Sequence, residues 1–193
     1  EMELIFKEYP EALENTWRIA ERCKLALDLE TPHFPLFNLP PGKKAEGLLR
    51  ELTYQGACQR YQRISPVLQE RLEHELSIIN ALGYADYFLV VWDIVKHARS
   101  QGIRYAGRGS AADSVVAYCL GITEVDALER GLLFERFMSL ERGEKPDIDL
   151  DFDARYRDRV ADYVYQKYGW DKVASVCTYN TFRARSALRD IGK

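Results

Sequence analysis

The chain has 193 residues, of which 47% are hydrophobic and 30% charged, and its formal net charge is −3 at pH 7. This length and apolar content allow one substantial hydrophobic core, and the charge excludes a protein that holds nucleic acid by bulk positive charge alone. No apolar run reaches membrane-spanning length, and four cysteines lie far apart with no C-x-x-C spacing. These features predict a cytoplasmic protein with reduced thiols and no membrane partner.

The first half of the chain is predicted to be helical, with one break. A helix is expected over residues 9–29, with Pro10 in its first turn. The following loop, residues 30–44, holds four of the seven prolines and predicts a domain boundary. Helical periodicity resumes after Ala45 and continues to Gly83, which is predicted to be a C-cap. The next helix, residues 86–102, is apolar around most of its circumference and should be buried.

The second half alternates short strands with helices. Strands are predicted at 103–106, 146–153 and 172–179, and helices at 111–121 and 155–168. This order indicates an α/β or α+β fold. The chain opens on Glu1 and closes on Lys193, each inside a helical pattern, which predicts a segment of a longer protein.

The stretch "PDIDLDFD", residues 146–153, places an acid on every second residue with Ile148, Leu150 and Phe152 between the acids. On a strand, this alternation gives one apolar and one acidic face. Acids two residues apart on one face lie roughly 7 Å apart, close enough to hold one cation or a pair of cations. An amphipathic strand with a wet acidic face explains the same alternation, so both interpretations stay open.

The stretch "GRGSAADS", residues 107–114, lies between a predicted strand and a predicted helix. Its glycines permit a tight turn, and the N–H groups of Gly109, Ser110 and Ala111 are expected at the helix N-terminus, a geometry that favours phosphate. The alternative is a structural turn with Ser110 as the N-cap. A P-loop is excluded because no Lys-Ser/Thr pair follows. A dinucleotide-binding fingerprint remains a weak alternative, with Glu124 or Asp126 as its acid.

Two further motifs bear on the acidic strand. Its beginning, "DIDLD", resembles a calcium-binding loop, but Phe152 stands where that loop requires glycine, and the EF-hand interpretation is excluded. The preceding stretch carries Arg136 and Arg142, whose planar side chains are suited to phosphate. The alternative is that these arginines form only surface ion pairs, such as one between Glu135 and Arg136. Taken together, acids, an anion-binding loop and two arginines fit phosphoryl transfer.

Three motifs in the sequence resemble those of a known family. The motifs "GRGSAADS", "LLFERFMSLERGEKPDIDLDFD" and "YGWDKVASVCTYNTFRARSALRDIGK" closely resemble the catalytic alpha subunits of bacterial DNA polymerase III, the C-family DNA polymerases. The stretch "RGEKPDIDLDFDARYRD" is more similar to the error-prone branch than to the main replicases. The sequence departs from the family pattern at two places near the glycine loop. Tyr105 and Ala106 stand where many members of the family have Gly-Pro, and Asp113 stands where they have glycine.

The resemblance implies a fold and a domain organisation. The fold is expected to be a polymerase-beta-like nucleotidyltransferase palm, a mixed sheet flanked by helices, with a helical N-terminal extension. Residues 1–45 would leave the PHP domain, 46–178 would form the palm, and 179–193 would begin the thumb.

The resemblance also implies roles for individual residues. Asp147 and Asp149 would be two of three catalytic carboxylates that hold two Mg²⁺ ions, with the third carboxylate on a later strand. Gly109 and Ser110 would contact the incoming triphosphate. Arg136 and Arg142 would brace the triphosphate, with Arg108 and Asp151 in supporting positions.

The implied function is template-directed DNA synthesis in replication or error-prone repair. Its partners would be primer-template DNA, a deoxynucleoside triphosphate and other subunits such as the sliding clamp. Residues 1–193 alone are expected to fold at least partly but to be inactive, with Asp147 and Asp149 facing each other without a counter-ion. A non-catalytic module that binds DNA or a protein partner is the alternative from a different class.

Overall fold

A computed structural model describes residues 2–24, 34–141, 146–179 and 181–192. The chain divides into two compact units, Glu1–His33 and Phe34–Lys193. The first unit contains α1 (Met2–Ile5) and α2 (Pro10–Arg22), and Pro10 occupies the first turn of α2 as predicted. The helix was predicted to continue to residue 29, but residues 23 and 24 are not helical. Residues 25–29 lie outside the described residues.

The second unit is mainly helical. Its helices are α3 (Ala45–Arg60), α4 (Pro66–Ala81), α5 (Ala85–Ser100), α6 (Val115–Cys119), α7 (Arg157–Tyr168) and α8 (Ala184–Ile191). Ser65 begins α4 because its side chain accepts a hydrogen bond from the Leu68 amide, and Gly83 follows α4 with a positive φ of 75°. Within the described part of the chain, no single helix is long and apolar enough to span a membrane, and α4 and α5 pass that test only as a pair bent by 113°.

The core of the second unit is formed by α3, α4, α5 and α6. Leu49, Leu72 and Leu89 contribute fully buried side chains from three of these helices. The helix α3 lies very close to α6, since a Cβ on Gly56 would stand 1.9 Å from the Cys119 carbonyl oxygen. This contact fixes the position of α6, and with it the end of the loop that leads into α6.

The segment before α3 packs against α5. The Phe37 amide donates a 2.8 Å hydrogen bond to Asp86, and the Phe34 ring packs against Tyr84 and Tyr87. Residues from Phe34 onward are therefore part of the second compact unit. The three-domain organisation with boundaries near residues 45 and 178 stays a prediction.

The described residues form a two-stranded antiparallel sheet from β1 (Tyr105–Arg108) and β2 (Asp149–Phe152). The α+β class is confirmed, and the strands predicted at 103–106 and 146–153 are observed in shifted or shorter form. The strand predicted at 172–179 is wrong: residues 173–179 have no regular secondary structure, because no described strand pairs with them.

Asp93 on α5 holds α7 against the core. Its carboxylate accepts hydrogen bonds from the hydroxyls of Tyr163 and Tyr168 and from the Lys167 ammonium group. The ring of His97, one turn further along α5, stacks on Tyr163 with centroids 3.6 Å apart. These contacts anchor α7, the first helix after β2, to α5.

Candidate active site

The antiparallel register produces the two faces that the alternation predicts. Arg108 lies opposite Asp149, and Ala106 lies opposite Asp151. Leu150 points to the other face and packs against the hydrophobic core, while Asp147 is exposed just before the strand begins. The acidic face therefore faces solvent, and the apolar face holds the strand on the core.

Arg108 joins two acids of this face. Its guanidinium Nη1 lies 3.1 Å from Asp149 Oδ2, and its Nε lies 3.1 Å from Asp151 Oδ2. The hydrogen bond to Asp151 and the charge of Asp149 raise the pKa of Arg108. The expectation that Asp147 and Asp149 face each other without a counter-ion is wrong for Asp149, because the strand register pairs Asp149 with Arg108.

The glycine loop lies beside the same carboxylates. Gly109 has a φ of 69°, a left-handed conformation that residues with a side chain adopt at a cost. A Cβ on Gly109 would stand 3.4 Å from Asp149 Oδ2. The turn that follows β1 is therefore in van der Waals reach of an acid on β2.

The loop continues as a 3-10 helix, Gly109–Asp113, and not as the start of an α-helix. The α-helix α6 begins at Val115, and Ser114 is its N-cap, accepting a 3.0 Å hydrogen bond from the Ala117 amide. Ser110 as N-cap of this helix was a wrong prediction. The reason is that Ser114 has extended backbone angles and a side-chain acceptor at the position where the α-helical turns begin.

The N-terminus of α6 is occupied by the protein's own carboxylate. Glu75 of α4 accepts 3.0 Å hydrogen bonds from the amides of Val115 and Val116 and a 2.8 Å hydrogen bond from the Ser114 hydroxyl. Arg71 completes the set with a 2.6 Å contact from its Nε. An external anion therefore cannot use the N-terminus of α6, and the predicted phosphate contacts are restricted to the 3-10 helix itself.

The Arg71–Glu75 pair was missed by the sequence analysis. Its sequence signal is an acid at helical spacing from the apolar residues Leu72 and Ile79, four residues after an arginine, and the structure buries this acid fully. A buried acid on an apolar helix face requires a partner, so this position could have been singled out.

Arg136 belongs to a second 3-10 helix, Phe134–Arg136, which contacts the 3-10 helix Gly109–Asp113. Phe134 anchors it in the core, and Glu135 lies 2.7 Å from His74 Nε2 on α4. The hydrogen bond from His74 lowers the pKa of Glu135. The 3-10 helix that carries Arg136 therefore lies against the 3-10 helix that follows the glycine turn, and the predicted role of Arg136 toward a triphosphate stays a prediction.

Arg142 lies outside the described residues, so its predicted role stays a prediction. Residues 143–145, which lead into the acidic stretch, also lie outside the described residues.

Tyr87 on α5 is a second residue that the sequence analysis missed. Its hydroxyl accepts a 3.0 Å hydrogen bond from the Ile148 amide, between Asp147 and Asp149. Burial raises the pKa of Tyr87, and the charges of these two acids raise it further. Tyr87 therefore fixes the backbone from which both carboxylates project. Its signal was a phenol on a helix predicted to be buried, where the hydroxyl needs a partner.

The fourth acid of the alternation, Asp153, has a structural role. Its carboxylate accepts hydrogen bonds from the backbone amide and the guanidinium of Arg155, at 3.1 Å and 2.6 Å. These bonds lower the pKa of Asp153 to about 2. Asp153 closes the turn that leads to α7 and does not join the exposed acids.

Comparison with known proteins adds the family. A model described as the bacterial DNA polymerase III alpha NTPase domain matches residues 47–193. The chain belongs to this family. It is 66% identical, over 97% of its length, to the error-prone DNA polymerase of Symbiobacterium thermophilum, and 48% identical, over its whole length, to the DNA polymerase III subunit alpha of Halalkalibacterium halodurans. It covers 17% and 18% of these two relatives, so the chain spans less than a fifth of their length.

Membership of a DNA polymerase family implies the use of divalent metal in general, and the exposed carboxylates are the candidate ligands among the described residues. Carboxylate oxygens are the ligands that Mg²⁺ prefers, and Asp149 is reachable because 43% of its side chain is exposed. Among the residues that the structure describes, no three His, Cys, Asp or Glu side chains are grouped closely enough to hold a metal ion. Carboxylate donors fit Mg²⁺, but the described residues alone do not form a metal site.

The dinucleotide-binding alternative does not fit the described fold. Its fingerprint requires two parallel strands joined by a helix, whereas β1 and β2 are antiparallel. Its candidate acids are also engaged elsewhere: Glu124 pairs with Arg60 at 2.9 Å, and Asp126 accepts a 2.8 Å hydrogen bond from the Tyr61 hydroxyl.

Proposed function

We propose that the intact protein carrying this chain is a DNA-directed DNA polymerase. In the proposed reaction, the 3′-oxygen of a primer attacks the α-phosphorus of a deoxynucleoside triphosphate. A bond forms between the primer oxygen and the α-phosphorus, and the bond between the α-phosphorus and the oxygen that bridges to the β-phosphate breaks. Pyrophosphate leaves, and the hydroxyl proton passes to solvent water. The observation that carries this proposal is that the Cβ position of Gly109 lies 3.4 Å from Asp149 Oδ2 in a chain of a polymerase family. The turn proposed to bind phosphate therefore adjoins a carboxylate proposed to bind metal.

Asp147 and Asp149 would hold the metal in this proposal. When bound, Mg²⁺ neutralises phosphate charge and lowers the pKa of an oxygen that it contacts. The chain's own contribution is to hold the acids in place: Tyr87 fixes the Ile148 amide between them, and the apolar face of β2 anchors the strand. The single positive charge of Arg108 offsets part of the negative charge of Asp149 and Asp151 from the opposite strand.

The nucleotide would lie along the turn that follows β1. Backbone N–H groups at Gly109 and Ser110 would donate to its phosphates, a role that glycine permits because no Cβ blocks close approach. Arg136 would brace the triphosphate from the neighbouring 3-10 helix, and Arg142 would add a second guanidinium. Arg108 and Asp151 would support this arrangement.

The wider proposal follows the family. Primer-template DNA and a deoxynucleoside triphosphate would be the substrates, with the sliding clamp among the protein partners, and the site of action would be the cytoplasm. Residues 46–178 would be the palm, and residues 179–193 would lead into the thumb.

The test is primer extension by the intact polymerase with Asp147→Asn and, separately, Asp149→Asn. Each substitution keeps the size of the side chain and removes its charge. We expect extension to fall on the order of 1,000-fold, with the melting temperature nearly unchanged. Asp158→Asn is the matched control, since this carboxylate is exposed on α7 and outside the site.

Near-normal extension by either site variant would contradict the proposed active site. Should both variants retain DNA binding while wild-type protein shows no Mg²⁺-dependent extension, the chain would be a module that binds DNA without catalysis.

A further inference from the structure

The face of α4 that meets the glycine loop carries a buried ion pair. Glu75 is fully buried, and Arg71 keeps only 18% of its side chain exposed. The carboxylate accepts from one guanidinium, one hydroxyl and two amides, so each of its oxygens is bound twice. This arrangement leaves the carboxylate no capacity for an external ligand, and its effect falls on the segments that it holds.

Arg71 connects two separate segments of the chain. Its Nη2 donates to the carbonyl oxygen of Asp113, at 3.1 Å, and to the carbonyl oxygen of Leu132, at 2.9 Å. Asp113 is the last residue of the 3-10 helix that begins at Gly109, and Leu132 lies two residues before the 3-10 helix Phe134–Arg136, here called the arginine segment. One guanidinium nitrogen therefore links the end of the glycine loop to the start of the arginine segment.

The same face of α4 makes a third connection. His74, which follows Arg71 by three residues and directly precedes Glu75, lies 2.7 Å from the carboxylate of Glu135, the neighbour of Arg136. Residues 71, 74 and 75 recur at helical spacing, so a single rigid helix contacts both elements that would bind the triphosphate.

We propose that Arg71 and Glu75 are positioning residues that set the distance between the glycine loop and the arginine segment for binding of the triphosphate. The proposal rests on the proposed polymerase function. It extends that function to two residues that do not touch the substrate, and it predicts that their effect appears in nucleotide affinity.

A purely stabilising role does not require this pair. A buried ion pair gains little over apolar residues of similar volume, because the cost of removing both charges from water offsets their attraction. What the pair adds is directional: the planar fork of Arg71 reaches an acid and two carbonyls at once, a geometry that lysine cannot reproduce.

The test uses steady-state and single-turnover kinetics of the intact polymerase with Arg71→Lys. Lysine keeps the charge opposite Glu75 but cannot also hold both carbonyls. We expect KM for the deoxynucleoside triphosphate to rise about tenfold, because the two phosphate-binding elements lose their fixed spacing. The turnover per active site and the Kd for primer-template DNA should change less than about twofold. Glu75→Gln should raise the same KM in the same direction.

Glu73→Gln is the matched control. Glu73 lies on the same helix and is also held by an arginine and a hydroxyl, those of Arg50 and Tyr54, but it contacts α3 and not the loop. Val95→Ala provides a second control, since it removes buried apolar volume from α5 and leaves the Arg71 and Glu75 contacts in place. Neither control should change KM for the nucleotide by more than about twofold, whatever its melting temperature.

Two results would overturn the proposal. One is an unchanged KM in Arg71→Lys and Glu75→Gln, and the other is loss of folding in both variants, which would assign the pair to stability alone. Asp149→Asn in the same assay distinguishes failure of the positioning role from failure of the proposed active site. If Asp149→Asn is inactive while KM in the pair variants is unchanged, only the positioning role fails; if Asp149→Asn extends primers normally, the active-site assignment fails.

Discussion

The two carboxylate regions of the second unit are built in opposite ways. Glu75 is fully buried and accepts hydrogen bonds from four donors. Asp149 keeps 43% of its side chain exposed and pairs with Arg108, which is itself 59% exposed. The difference separates acids that hold the protein together from acids that are available to a ligand. A carboxylate whose oxygens are all bound cannot coordinate a cation, whereas an acid with an exchangeable partner can.

The first prediction breaks the comparison at the level of stability, where the expected effect is largest. Glu75→Ala leaves the Arg71 charge and the Val115 and Val116 amides without their partner, and it should lower the free energy of unfolding by about 3–5 kcal/mol. Asp149→Ala should change it by less than about 1 kcal/mol, because exposed ion pairs contribute little. Urea unfolding of the 193-residue chain measures both. Equal losses in the two variants would contradict the division into structural and available acids.

The second prediction concerns the glycine turn beside Asp149. Gly109→Ala forces a side chain into a left-handed conformation, at a cost of about 1–2 kcal/mol. Gly42→Ala is matched, because Gly42 has a φ of 78° and its Cβ would meet no atom within 4 Å. We expect similar losses of stability by thermal unfolding, but a raised KM for the nucleotide only in intact polymerase with Gly109→Ala. A raised KM in both variants would show that strain, and not the site, is responsible.

The third and smallest effect concerns Asp153, which follows the acidic face but is tied to Arg155. Its pKa of about 2 lies below its usual value of 3.8, so its stabilisation is present above about pH 4 and is lost as pH falls towards 2. Asp153→Asn should therefore reduce the fall in the free energy of unfolding between pH 5 and about pH 2. Arg155→Gln should do the same, because Arg155 supplies the donors. An unchanged pH dependence in both variants would return Asp153 to the exposed acids.

The sequence was sufficient where the interactions are local. The alternation through Asp149, Leu150, Asp151 and Phe152 predicted a two-faced strand, and the position of Gly109 predicted a turn. Both features depend on residues that are neighbours in the chain. The sharing of one face by Asp149 and Asp151 follows from the strand period alone.

The remaining features depend on contacts between distant residues. The choice of Ser114 over Ser110 as N-cap is supported by Glu75, which lies 39 residues away in the chain. Arg108 as the counter-ion follows from a register that joins it to Asp149, and no local pattern sets this register. The strand predicted at 172–179 shows the converse, because β propensity without a paired strand leaves backbone groups to solvent.

The central claim is that the exposed acids and the glycine turn form one site for a metal and a nucleotide, while Glu75 is excluded from it. The most direct measurement is paramagnetic broadening of amide NMR signals by Mn²⁺ with a deoxynucleoside triphosphate, using the 193-residue chain. We expect selective broadening at Gly109, Ser110 and Asp149, and its loss in Asp149→Asn. Broadening that centres elsewhere, or that persists unchanged in Asp149→Asn, would contradict the claim.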